Sequence, residues 1–252
     1  MCFEIQAHRG ARLFFPENTL QAFFKAADLG VRVVELDLVV SKDHKIVVSH
    51  DPWLFGPLGS DRLRYFLYDM TYSDIATFKP LLSTIFTKVE AYMASEGMHG
   101  KMIYNLEIKS WPDKDGIYHP TPDRYASLVL RVAEDAGLSS RVRIQSFDYR
   151  VIREAWKLNS QLCYGLLIEE MKHMERFLPV LGFLPRYVNP HFSLVNRELT
   201  EYLHAKQIRM IPWTVNSRED MLKMKRIGVE GIITDYPELA LALFGLQKGG
   251  AD

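Results

Sequence analysis

The stretch Val33-Val34-Glu35-Leu36-Asp37-Leu38-Val39 decides the fold. Strand side chains alternate faces, so Val34, Leu36 and Leu38 form one apolar face. Glu35 and Asp37 share the other, roughly 7 Å apart along the strand. The apolar face asks for helices to cover it, which turns the acidic face into a closed interior. An edge strand with solvated carboxylates is the competing reading, and the apolar run on the opposite face argues against it.

Working outward, similar segments recur. Strands are expected at Phe3–His8, Val33–Val40, Met102–Lys109, Val142–Phe147, Leu162–Ile168, Tyr187–Pro190, Arg209–Val215 and Gly231–Thr234, with Lys45–His50 as a hairpin excursion after the second. Helical patterns fall at Thr19–Leu29, Leu82–Ser95, Pro122–Ala136, Tyr149–Leu158, Met171–Leu181, Arg197–Ala205, Arg218–Ile227 and Pro237–Phe244. Eight strand–helix pairs in 252 residues predict an α/β fold, a (β/α)8 barrel in one domain. An open doubly wound sheet has a similar length, but no G-x-G-x-x-G follows the first strand.

Residues 51–80 break the alternation. They carry turn signals at Gly56-Pro57 and Leu58-Gly59-Ser60 and seven aromatics: Trp53, Phe55, Tyr65, Phe66, Tyr68, Tyr72 and Phe78. A long stretch without periodicity in a compact domain is usually functional. It is expected to be a small insertion after the second strand, packed over the active-site end of the barrel.

Composition narrows the function. Apolar residues make up 48%, charged residues 25%, and 31 basic residues balance 31 acidic ones. A nucleic-acid binder normally shows a basic excess, so that partner class is not expected. Cys2 and Cys163 are far apart and read as free thiols. No run of eighteen apolar residues exists, so no transmembrane helix is expected. No secretory signal is visible, which points to the cytoplasm, although a signal peptide removed beforehand is compatible. Nothing in the sequence fixes an oligomeric state.

Glu35 and Asp37 in a closed lumen would cost several kcal/mol each if unpaired. Oxygen ligands favour a hard divalent cation, Mg²⁺ or Ca²⁺. In Asn105-Leu106-Glu107-Ile108-Lys109 the odd-numbered residues share a face, so Glu107 completes a three-carboxylate site if the strands are neighbours. Lys109 adds a cation one pleat further on; a plain Glu107–Lys109 pair is the competing reading, and it does not explain the excess of acid on the second strand. His8-Arg9-Gly10 ends the first strand and Ser49-His50-Asp51 ends the excursion. Two imidazoles beside three carboxylates suit an acid and a base around a metal. Arg9 suits a phosphate oxygen, or simply a carboxylate such as Glu17. In Pro16-Glu17-Asn18-Thr19 either Asn18 or Thr19 is expected to cap the first helix. Gln145, Asn189, His191 and Asn216 fall near strand ends, as pocket or structural residues; loop geometry is the expected role of His191.

These segments, in this order, resemble the glycerophosphodiester phosphodiesterase family. The matching pieces are His8-Arg9-Gly10, Pro16-Glu17-Asn18-Thr19, Glu35-Leu36-Asp37, Asp43 with Val47, His50-Asp51 and Asn105-Leu106-Glu107-Ile108-Lys109. Later come Gln145-Ser146-Phe147-Asp148, Trp213-Thr214-Val215-Asn216 and Gly231-Ile232-Ile233-Thr234-Asp235-Tyr236-Pro237. The resemblance implies a TIM barrel that hydrolyses glycerophosphodiesters, a small-molecule substrate, to sn-glycerol 3-phosphate and an alcohol. It implies His8 and His50 as the catalytic acid–base pair and Glu35, Asp37 and Glu107 as holders of one divalent cation. Arg9 and Lys109 would face the phosphate, and Trp213 the glycerol end of the pocket.

The chain departs from the family pattern at Asp43-His44, where Asp-Gly is usual. It departs again at Asp51-Pro52-Trp53-Leu54-Phe55, which lacks the usual Arg-Thr-Thr; Arg62 and Arg64 are the nearest arginines downstream. A third departure is Lys79-Pro80-Leu81-Leu82-Ser83-Thr84, in place of Ile-Pro-Thr-Leu-Glu-Glu. Two of the three departures build the substrate mouth. That keeps a lysophospholipase D-type enzyme on the same barrel as the nearest alternative, since an acyl chain needs an apolar groove. The resemblance to sphingomyelinase D is weaker. A metal-dependent barrel lyase or aldolase, and a non-catalytic binder of a phosphorylated ligand, are the readings from other classes.

Overall fold

The computed structural model describes residues 3–55, 64–76 and 79–245. Cys2, Gly56 to Ser60, Arg62 and Phe78 lie outside the described residues. The barrel strands are β1 (Glu4–His8), β2 (Val33–Val40), β6 (Ile103–Ile108), β7 (Val142–Ser146), β8 (Cys163–Ile168), β9 (Tyr187–Pro190), β10 (Arg209–Met210) and β11 (Gly231–Thr234). They run parallel in the order β10-β9-β8-β7-β6-β2-β1-β11. The seam between β10 and β11 is closed by backbone bonds outside the regular ladders. Glu230 N donates to Met210 O (3.1 Å), Ile233 N to Pro212 O (2.9 Å) and Val215 N to Ile233 O (2.9 Å). The chain is thus a TIM-type (β/α)8 barrel.

Helices α1 (Leu20–Asp28), α3 (Leu82–Ser95), α4 (Pro122–Asp135), α5 (Tyr149–Leu158), α6 (Met171–Phe177), α7 (Arg197–Ala205), α8 (Arg218–Ile227) and α9 (Pro237–Phe244) follow the strands in turn. Each hides an apolar stripe against the outer strand face. Val34, Leu36 and Leu38 of β2 and Tyr104, Leu106 and Ile108 of β6 lie in that layer, with Phe23, Phe86 and Val129 from the helices. Burying a side chain of this size stabilises by about 1.5–3 kcal/mol. The lumen is polar, and several of its side chains pair across strands. Asn105 donates to Gln6 (2.8 Å), Asn189 to Gln145 (2.8 Å), and Arg143 forms a two-pronged pair with Glu4 (2.6 and 2.8 Å). Barrel closure also needs a close approach at Gly231, where a Cβ would meet Glu4 O at 2.4 Å.

Two elements break off early at a proline. The strand expected over Arg209–Val215 ends at Met210. Pro212 has no N–H to continue a ladder, and Trp213 N turns back to Pro190 O (3.1 Å). The helix expected over Met171–Leu181 stops at Phe177 and becomes a 3₁₀ turn, Leu178–Val180. Pro179 cannot donate the next i→i−4 bond.

After β2 the chain makes the antiparallel excursion β3 (Ile46–Val48). The stretch expected to be irregular then holds a hairpin of β4 (Trp53–Phe55) and β5 (Arg64–Phe66), a 3₁₀ turn Leu67–Asp69 and the short α2 (Tyr72–Ile75). Phe66 stacks on Tyr118 with ring centres 4.6 Å apart, tying the hairpin to the segment after β6. Arg64 lies over the Trp53 ring at 4.3 Å.

Candidate active site

The three acidic side chains of β2 and β6 converge on one place inside the barrel. Asp37 pairs in register with Glu107, and Glu35 with Asn105. One carboxylate oxygen from each of Glu35, Asp37 and Glu107 lies within 4.8 Å of the others, and all three residues are buried. His8, Arg9, His50, Lys109, Gln145 and Trp213 line the same cavity, of about 250 Å³, with Glu35 and Glu107. Every residue singled out as catalytic, phosphate-facing or glycerol-facing therefore meets in one pocket.

The loop after β1 supplies much of the scaffold. Arg9 sits at φ +58° and Gly10 at φ +82°. At Gly10 a Cβ would meet the Ala22 Cβ at 2.8 Å, so only glycine lets the loop lie on α1. This turn aims Arg9 N at Glu35 Oε2 (3.1 Å). The Arg9 guanidinium bridges Glu17 (3.0 Å) and Asp37 (3.1 Å). Thr19 is the helix cap, accepting from Ala22 N. Asn18 is not; held at φ +59°, it donates through Nδ2 to Asp37 Oδ2 (2.9 Å). So Pro16-Glu17-Asn18-Thr19 is a bracket for the acidic cluster as well as a helix start.

Lys109 pairs with Glu107, the simpler of the two readings weighed for it, and with Asp37 as well. Its ammonium lies 2.6 Å from Glu107 and 2.9 Å from Asp37. Burial alone would lower its pKa, but the two carboxylates outweigh burial and raise it. Burial likewise acts to raise Asp37, yet Lys109 and Arg9 overcome this and hold it below the ordinary range. Glu35 has the opposite balance. Burial, then the charges of Asp37 and Glu107, push it well above the usual value. Its Oε1 is buried without any donor. A carboxylate oxygen left this way calls for a proton or a cation. Three convergent carboxylates, with Glu35 Oε1 lacking a donor, fit a hard divalent ion.

The two histidines are oriented differently. His8 Nδ1 lies 2.6 Å from Asp235 Oδ1, which leaves Nε2 toward Glu35 at 3.9 Å. Asp235 is itself held by Asn216 Nδ2 (2.8 Å). Burial works to raise the Asp235 pKa, but hydrogen bonding to His8 brings it down. His50 Nδ1 meets Asp51 at 2.9 Å. Its pKa is lowered by burial and then by the Lys109 charge.

Several contributors escape a reading of the sequence by itself. Asp235 follows the last strand, which lies beside β1 once the barrel closes, and that position is the only signal the sequence carries for its contact with His8. Phe147, Leu167, Glu169, Thr214 and Ile233 also line the cavity. Trp213 is fixed by donating Nε1–H to Asn189 O (2.8 Å) and stands edge-on to Phe147. His191 accepts from Ser193 N and serves the loop, as expected. Asn189 and Asn216 work as hydrogen-bonding supports.

Known proteins match this architecture along nearly its whole length. A model of the glycerophosphoryl diester phosphodiesterase family matches residues 8–239. A glycerophosphodiester phosphodiesterase of Caldanaerobacter subterraneus subsp. tengcongensis is 29% identical over 259 residues, covering 97% of this chain and 98% of that protein. The crystal structure of a glycerophosphodiester phosphodiesterase from Thermotoga maritima is 26% identical, with a TM-score of 0.74 over 96% of this chain and 99% of that one. A phosphodiesterase from Oleispira antarctica, solved with the product sn-glycerol-3-phosphate, shares the fold at 20% identity and a TM-score of 0.78, over 96% of each chain. The chain belongs to the glycerophosphoryl diester phosphodiesterase family.

Proposed function

We propose that this chain hydrolyses glycerophosphodiesters to sn-glycerol 3-phosphate and an alcohol, with a divalent cation and two histidines. The observation that carries this is the convergence of two imidazoles, three buried carboxylates and two cationic side chains on one cavity. Relatives with this activity, and a neighbour holding its product, support the same reading.

Glu35, Asp37 and Glu107 would hold the ion, Mg²⁺ or Ca²⁺. When bound, it would offset phosphate charge and make a hydroxyl or water easier to deprotonate. Arg9 and Lys109 place positive charge beside the diester oxygens. His50, whose pKa is lowered by burial and by the Lys109 charge, is the residue we assign as proton acceptor. His8, with Asp235 at Nδ1, presents Nε2 to the cavity for the other proton transfer. Trp213 walls the glycerol end. The described part of residues 51–80, which begins directly after His50, would border the mouth of this single domain.

The cavity of about 250 Å³ with charged walls suits a small polar diester better than an acyl chain. The test is release of glycerol 3-phosphate from glycerophosphocholine after EDTA and after adding back Mg²⁺, Mn²⁺ or Ca²⁺. Metal-restored release supports the proposal. Cleavage of lysophosphatidylcholine alone would replace it with the lysophospholipase D reading.

A further inference from the structure

Large apolar side chains are exposed along one arc of the barrel's C-terminal end. Leu13, Phe14 and Phe15 lie between β1 and α1, Phe55 and Tyr65 on the β4–β5 hairpin, and Ile117 between β6 and α4. Each keeps 41 to 59% of its surface in solvent. β1, β2 and β6 are neighbours in the sheet, so the segments that follow them stand side by side. The other strand-to-helix segments among the described residues carry no large apolar residue this exposed.

The backbone holds the first of these segments outward. Ala11 is buried, with its N–H donating to Ala22 O on α1 (2.9 Å). Phe14 N and Phe15 N both turn back to Ala11 O (3.0 and 3.4 Å). The turn is pinned on its inner side, and its apolar tip faces solvent. Single exposed apolar residues are ordinary; three in a row, beside three more on adjoining segments, mark a surface that meets a partner.

Cations accompany the arc. Lys25 Nζ lies 5.0 Å from the centre of the Phe14 ring, Arg64 lies over Trp53, and Lys114 Nζ is 5.6 Å from the centre of the Tyr118 ring. Nearby carboxylates are engaged elsewhere: Glu17 by Arg9 and Arg12, Asp51 by His50, Asp113 by Lys114 and Asp115 by Arg150. Aromatic and aliphatic tips with cations beside them match an anionic phospholipid surface. The rings enter the headgroup layer and the cations meet the phosphates. A second copy of the chain fits less well. In a two-fold dimer through this arc the same patch faces itself, so Lys25 and Arg64 would meet like charges.

We propose that this arc docks the protein on the surface of an anionic phospholipid bilayer, with Lys25 and Arg64 as its electrostatic contacts. The bilayer is a surface here and not the substrate, and the inference does not depend on which diester is cleaved. The arc covers only the β1, β2 and β6 side of the rim, so the opposite side stays open to water and to a soluble substrate.

The test is co-sedimentation with vesicles of phosphatidylcholine alone and of phosphatidylcholine with phosphatidylglycerol in equal parts. Wild type is expected to partition onto the anionic vesicles at least about 5-fold more than onto the neutral ones, and added salt should shrink the excess. Arg64→Gln should weaken anionic binding about 5-fold. Phe55→Ser, and Leu13→Ser combined with Phe14→Ser, should each weaken it about 10-fold. The three variants should keep the wild-type melting temperature and the wild-type turnover of soluble glycerophosphocholine without vesicles, which separates a lost contact from a lost fold. No sedimentation with either vesicle, equal binding to both, or binding untouched by the substitutions overturns the proposal. So does dimerisation that Phe55→Ser abolishes in a protein that ignores vesicles, which would assign the arc to self-association.

Discussion

His8 and Asp235 meet at 2.6 Å, joining the first and last strands of the barrel across 227 residues of chain. The carboxylate occupies Nδ1 of the imidazole, so the ring can turn only one nitrogen to the cavity. Asp235→Asn keeps the shape but offers an amide N–H as readily as an oxygen, and the ring loses its fixed tautomer. Turnover of glycerophosphocholine should fall on the order of 10²-fold, with a melting temperature near that of wild type. Turnover within about threefold of wild type would remove this contact from the mechanism.

The acidic cluster predicts a metal response that does not depend on catalysis. A ligand that binds only the folded state stabilises it by about 2.7 kcal/mol at a hundred times its Kd. Mg²⁺ or Ca²⁺ should raise the melting temperature of EDTA-treated protein, and Glu35→Gln should abolish most of the rise. A melting temperature indifferent to every divalent cation tried would argue that the three carboxylates hold none.

Glu90 gives a pH prediction far from the site. Arg141 clasps both its oxygens (2.7 and 2.6 Å), and Tyr104 donates to it (2.7 Å). Burial would raise the Glu90 pKa, but the hydrogen bond from Arg141 leaves it lowered. A depressed folded-state pKa stabilises above the unfolded value, near 4.3, and that stability is lost as pH falls through the folded value. Glu90→Gln should therefore cost roughly 1 kcal/mol at pH 7, and the gap to wild type should narrow below about pH 4. A gap constant from pH 7 to pH 3 would contradict the linkage.

His44 occupies the left-handed region at φ +59° in an exposed turn. The turn is anchored by Asp43, which accepts from Ser41 and from Tyr72 N. A residue with a Cβ costs about 1–2 kcal/mol there, partly offset because glycine gives the unfolded chain more freedom. His44→Gly should stabilise by about 0.5 kcal/mol, seen as a small rise in melting temperature with kinetics unchanged. A fall in melting temperature would mean that the imidazole makes contacts worth more than the strain.

The sequence was legible where one strand face answered to one pattern. The alternation in Val33–Val40 puts Glu35 and Asp37 on one face, and that in Met102–Lys109 puts Glu107 on the inner face of its own strand, since period two admits a single assignment of faces; that the two strands are neighbours comes from the fold. The seam around Pro212 was not legible, because a broken ladder leaves no alternation. Nor was the β4–β5 hairpin, whose three-residue strands are too short to show a period. Supporting residues were hidden for another reason. Asn18 acts on Asp37, and Asp235 on His8, only after the barrel closes. Local propensity reports Asn18 as a cap candidate, which is the role Thr19 performs.

The ammonium of Lys109, set between Asp37 and Glu107, has a consequence for how the chain matures. Two of the three acids already have a covalently attached counter-charge. A newly made copy can therefore close its barrel in ion-poor surroundings, and on the proposed metal dependence a shortage of the ion would leave intact but inactive molecules.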